Sequence, residues 1–176
     1  MRKFIVSLAL MLVVAIPASA QRLNLDFLTD LEDRADEVVD VTLDANMLRM
    51  AAKIFKGAEA NERAIGDMIR GLEGIYVRSY EFADAGQYDR KLIDRVKSQL
   101  GSSWKPLVTV RSKKKENVNI WADMRGEQVV GLVIVAAEPR ELTVVNIVGP
   151  IDIDRLADLD GQFGIPKTVF QDKDHD

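Results

Sequence analysis

The chain has 176 residues, no cysteine, one histidine and a formal net charge of −4. It therefore has no disulfide framework, no thiol nucleophile and no Cys-type metal site, and its acidic balance argues against general nucleic-acid binding. His175 is the sole histidine and stands next to last, which argues against a His-based triad or zinc centre.

The first element is an export signal. Arg2 and Lys3 open the chain, Phe4 to Ile16 is apolar apart from Ser7, and Pro17 breaks the run. Ala18-Ser19-Ala20 then offers the small residues a signal peptidase reads. Residues 1–20 are expected to be a secretory signal peptide cleaved between Ala20 and Gln21, giving an exported product, periplasmic or secreted. The apolar run is shorter than the roughly 20 residues of a membrane-spanning helix, and no later run is longer than a strand. Loss of the two signal cations takes the formal charge from −4 to −6. About 155 residues remain, the size of one ordinary domain.

Leu28, Leu31 and Ala35 mark a short amphipathic helix within Leu23 to Ala35. Val38 to Leu43 is β-branched and alternating, hence a strand. Asp44 stands where an N-cap belongs, ahead of Met47, Leu48, Ala51, Ala52 and Phe55 at helical spacing. Ile65, Met68, Ile69 and Leu72 form the stripe of a second helix over Asn61 to Leu72. Gly74 ends it, and Ile75 to Phe82 is a strand. A polar turn leads to a helix near Tyr88 to Leu100, with Leu92, Ile93, Val96 and Leu100 inward.

The second half alternates strands and turns. Leu107 to Ser112 is expected to pair with Val118 to Met124 through Lys113 to Asn117. Gln128 to Ala137 and Leu142 to Gly149 follow, with Pro150 ending the last strand. Asp152 or Asp154 caps a final helix, Ile153 to Leu159. The expected organisation is one domain over 21–166 and a charged tail over 167–176.

The fold class is α+β, an antiparallel or mixed sheet ending in a four-strand meander, with helices packed mainly on one face. Val129 to Ala137 and Leu142 to Val148 are apolar on both faces. The sheet's second side therefore needs a cover, either a terminal helix of the chain or a partner.

Catalytic motifs are missing: there is no G-x-S-x-G, P-loop, H-E-x-x-H or dinucleotide glycine fingerprint. The acids Asp152, Asp154, Asp158 and Asp160 lack the distal Glu of a calcium loop and read as helix caps. The pairs Glu81/Asp84 and Asp123/Glu127 fall at strand ends and turns, where surface acids are ordinary. No enzyme activity, cofactor or metal is expected. The candidate interaction surface is Trp121 with Asn119 and Asp123, on the face opposite Val118, Ile120, Ala122 and Met124, together with Lys113, Lys114 and Lys115. The lysines read either as a contact to anionic headgroups or polymers or as a solvated hairpin tip. Tyr76, Tyr80 and Phe82 form a second aromatic stripe, read as core. The expected function is a non-catalytic protein-interaction module, its partner an envelope protein or a second copy. The alternative is a carrier of a small molecule or lipid, with an enclosed cavity lined by Met47, Phe55 and Met68.

Several segments carry a family resemblance. They are Leu48 to Phe55, Gly74 to Phe82, Trp104 with Leu107-Val108, and Val118-Asn119-Ile120-Trp121. Gly131 to Val135 and Val145 to Asp152, with the closing helix through Leu156 and Leu159, complete the set. In their order and pattern they resemble the bacterial DUF4252 proteins, a family of unknown function. The resemblance implies a small exported or lipid-anchored envelope protein, and for some members a link to extracytoplasmic-function sigma factors and envelope signalling. The lipobox cysteine of some members is absent here, so lipid anchoring is not implied. The resemblance implies no catalytic residue.

Overall fold

The computed structural model describes residues 22–54, 60–112 and 117–152. The expected signal peptide, the Ile153–Leu159 helix, the tail, Phe55, and Lys113, Lys114 and Lys115 lie outside the described residues.

The chain opens with a 3-10 helix, Asp26–Arg34. Leu25, Leu28 and Leu31 are all buried, and their three-residue spacing matches the period of a 3-10 turn better than that of an α-helix. β1 (Glu37–Asp44) leads directly into α1 (Ala45–Ile54). Asp44 is the cap expected from sequence: its Oδ1 accepts the N–H groups of Asn46 and Met47, each at 2.8 Å. α2 (Ala60–Gly71), β2 (Gly74–Glu81) and α3 (Lys91–Lys97) follow. The remaining elements are β3 (Trp104–Val110), β4 (Asn117–Arg125), β5 (Gln128–Ala137) and β6 (Glu141–Ile151).

The six strands form one antiparallel sheet in the order β1-β2-β6-β5-β4-β3. Gly126, at φ +59°, turns the hairpin between β4 and β5. β6 does not stop at Pro150. Between the pairs Gly131↔Val148 and Val129↔Ile151 it holds an extra residue, and a bulge tolerates a proline that a regular ladder would not. Gly149 in that bulge has φ +120°, and a Cβ there would lie 2.8 Å from the Glu73 backbone nitrogen. The link from α2 to β2 thus crosses β6 where only glycine leaves room.

Cross-strand pairing sorts the side chains into two faces. One row runs Thr42, Tyr76, Asn146, Val133, Trp121 and Pro106. The adjoining row on the opposite face runs Leu43, Ile75, Ile147, Leu132, Ala122 and Lys105. Each face has its own core. On the Trp121 face, Leu23, Leu25, Leu28 and Leu31 pack with Val96 of α3 against Tyr80, Phe82, Val133, Val135, Leu142 and Val144. On the other, Leu48 of α1 and Ile69 and Leu72 of the α2 end pack against Leu43, Ile75, Ile120, Leu132 and Ile147. Helices therefore lie against both faces rather than mainly one, because β5 and β6 are apolar on both sides and each side needs a cover.

Candidate functional site

The N-terminal segment is fastened to the centre of the sheet. Asn146 is fully buried on β6; its Oδ1 accepts the Leu23 N–H at 2.9 Å, and its Nδ2 donates to the Leu132 carbonyl at 3.4 Å. Gln99, beyond α3, holds the same segment twice, accepting the Asn24 N–H at 2.9 Å and donating to the Asn24 carbonyl at 2.8 Å. The Arg95 guanidinium lies 4.3 Å from the centre of the Phe27 ring. Segment and helix together roof the Trp121 face.

The roof stops short of the β3 edge, and there a groove of about 350 Å³ opens. Trp104, Pro106 and Trp121 line it on the sheet side, Leu100 and Lys97 on the helix side, and Thr109, Arg111 and Asn119 complete it. Trp104 and Trp121 are both buried in the core beneath, while Lys97 and Arg111 are exposed. The sequence folds this way because alternation puts Trp121 and Asn119 on one face of β4, and pairing puts Pro106 and Thr109 beside them on β3. The two cations at the rim favour an anionic group, and the apolar indoles beneath favour a flat apolar body beside it.

Sequence and structure agree on which face holds Trp121, Asn119 and Asp123, but the groove brings together only the first two. Trp121 is 8 % exposed and is not a free recognition aromatic. Its indole is packed in the core, and truncating it would cost about 3–5 kcal/mol as a cavity, so the fold would not be spared. Asp123 is buried opposite Trp104, and its Oδ1 has no hydrogen-bond partner. Lys97, Thr109 and Arg111 were not among the candidates read from sequence. Nothing in the chain's local pattern joins a helix end to a strand more than ten residues away; only the alternation of β3 offered a signal, for Thr109 and Arg111.

A second groove, about 200 Å³, lies beside the N-terminal segment and is lined by Arg22, Asp26, Tyr76 and Arg78 among others. Its cations are already engaged. Arg22 stacks on Tyr76 at 4.3 Å, and Arg78 is ion-paired with Asp40 across β1 and β2. Tyr80, next on the same face, is fully buried, and its hydroxyl has no partner. Burial, reinforced by the Glu32 charge, pushes its pKa up to about 12. Burial likewise raises the Tyr88 hydroxyl, which donates to the Glu138 and Glu141 carbonyls.

The carrier reading required an enclosed cavity at Met47 and Met68. Met47 is exposed and Met68 half-buried, and neither lines either groove. Among the described residues no group of three or more His, Asp or Glu could hold a metal, and no helix is long and apolar enough to cross a membrane.

The model of a family described as a domain of unknown function, DUF4252, matches residues 32–159. The chain belongs to the DUF4252 family. Comparison with curated proteins and with solved structures gives no match. In this DUF4252 domain the family match covers every strand and α-helix described. It begins after Leu23, Leu25, Leu28 and Leu31, although all four are core residues. The groove residues all fall inside it.

Proposed function

We propose that this DUF4252 domain is an exported, non-catalytic protein-interaction module that seats an acidic segment of an envelope protein in the groove between α3, β3 and β4. One observation carries the reading: Lys97 and Arg111 stand exposed and without an ion pair among the described residues, over a floor made by Trp104 and Trp121. Unlike the cations of the second groove, these have no ion-pair partner among the described residues. Arginine is among the usual anchors of protein interfaces, and cations around such a floor speed and orient the arrival of an acidic partner. Export follows from the signal-like first 20 residues, and the link to envelope signalling from the family resemblance.

The test reverses the rim and leaves the floor intact. A tagged chain expressed in its native envelope is compared with Lys97→Glu/Arg111→Glu by affinity capture and mass spectrometry. Both side chains are exposed, so the variant should melt as the parent does. A protein partner held by the parent and depleted about tenfold or more in the variant, a loss of about 1.4 kcal/mol, supports the reading. Equal recovery from both chains removes the groove as the site. A co-purifying lipid or small molecule, with no protein, moves the carrier reading to first place.

A further inference from the structure

Helix α1 is apolar on two sides. Leu48 packs against the sheet, and Ala52, one turn on, is fully buried. Met47, Met50 and Ile54 stand outward, at 47 %, 66 % and 82 % exposure. Their steps of three and four residues put them in one stripe. Among the described residues the other exposed large apolar side chains are Val38, Val39, Leu107 and Val110, and these stand on the edge strands β1 and β3. α1 is the helix that carries such residues, and it carries three of them in line.

The stripe has cations beside it. Arg49 and Lys53 are exposed. They lie one turn apart, between the buried row and the apolar one as the helix turns. The Arg49 guanidinium donates to the Asn46 side-chain oxygen, a neutral partner that leaves its charge in place. Neither cation is in an ion pair among the described residues. α1 holds no acid, whereas the 3-10 helix, α2 and α3 each hold at least one. Asp44 precedes the helix, and its carboxylate is taken up by the N–H groups of the first turn. A chain with a net charge of −4 thus displays one helix that is apolar and purely cationic.

We propose that α1 rests on an anionic phospholipid surface, with Met47, Met50 and Ile54 entering the boundary between headgroups and acyl chains and Arg49 and Lys53 reaching the lipid phosphates. An apolar row with cations alongside is the pattern of helices that lie in a membrane interface. Long cationic side chains keep their stems on apolar surface and carry their heads to the charged layer, and unbranched methionine adapts to an irregular surface. A protein partner or a second copy fits less well. Three side chains fall short of the roughly 800 Å² a side that a stable protein interface buries, and α1 has no Trp or Tyr to anchor one. A fluid lipid surface requires neither. α1 packs on the face of the sheet opposite Trp121, so a chain held by α1 keeps its groove on the side away from the bilayer.

The test uses the whole mature chain and unilamellar vesicles of phosphatidylcholine, either pure or with a quarter of phosphatidylglycerol. In flotation the chain should rise with the anionic vesicles, bind the neutral ones about fivefold less or weaker, and come off as salt is raised. Lipid carrying a nitroxide on its headgroup should broaden the α1 amide resonances first. Met50→Glu/Ile54→Glu changes two exposed side chains, so it should melt as the parent does, and it should bind anionic vesicles about tenfold less or weaker. Met50→Leu/Ile54→Leu should bind as the parent does. Lys97→Glu/Arg111→Glu should also float, which separates α1 from the groove. No flotation with anionic vesicles, equal recovery on both vesicles, broadening centred away from α1, or a lipid-free dimer that Met50→Glu/Ile54→Glu disperses each overturns the proposal.

Discussion

Tyr80 shows how much one side chain can report. It sits in the Trp121-face core with its hydroxyl unpartnered and its pKa raised to about 12 by burial, with Glu32 next in effect. The folded state therefore favours the protonated phenol. In the unfolded chain the same group titrates near 10.0. Its contribution is fully present below about pH 10 and is lost as pH rises toward 12, at about 1.4 kcal/mol per pH unit. Replacing the hydroxyl by hydrogen removes both the buried unmade bond and this slope. Tyr80→Phe should be more stable than the parent at pH 7 by about 1 kcal/mol and lose less stability above pH 10. Denaturant unfolding at the two pH values checks both. A variant less stable at pH 7 would show that the hydroxyl is satisfied after all.

At the scale of elements, the segment that roofs the Trp121 face is held from the sheet by Asn146 and from the α3 side by Gln99. Asn146 is the acceptor for the Leu23 N–H. In Asn146→Ala that N–H is left buried without a partner, at a cost of about 1–3 kcal/mol. The expected outcome is a lower melting temperature together with faster proteolysis within residues 22–34; a lower melting temperature without that cleavage would place the loss elsewhere. Much at this scale was legible in the sequence. The alternation of Val38 to Leu43 and of Val118 to Met124 gave both the strands and their faces, and Asp44 marked the start of α1 as a cap does. The misreadings have local causes. Leu28, Leu31 and Ala35 mark a short helix without fixing its period, and Leu25 adds the three-residue step that goes with a 3-10 turn. From sequence Pro150 reads as a stop, because a bulge depends on the partner strand, which one sequence segment does not contain. The two-faced helix packing was half legible, since the apolar faces of β5 and β6 announced a cover without saying which element supplied it. The groove rim was not legible, because Lys97 and Arg111 meet only in the folded chain.

For the whole molecule, the structural domain is larger than its family match. A chain begun at residue 32 would keep every strand and lose Leu23, Leu25, Leu28 and Leu31. Each of these leucines buries a side chain worth about 1.5–3 kcal/mol. Together they rival the net stability of about 5–15 kcal/mol typical of a domain. The expected outcome is a collapsed chain with no cooperative thermal transition by circular dichroism, whereas a chain begun at residue 22 melts cooperatively. A cooperative melt from the shorter chain would show that one face can stand uncovered. The bond between Leu23 and Asn146 also has a consequence in time. Its two ends are 123 residues apart, and a ribosome makes the first long before the second. Leu23 is among the first of the described residues to exist, and it must wait for β6, the last described strand, before its place is there to occupy. Contacts this distant are slow to form because the intervening chain must be ordered first. The domain is thus closed by its own beginning, and this bond cannot form before β6, the last described strand, is in place.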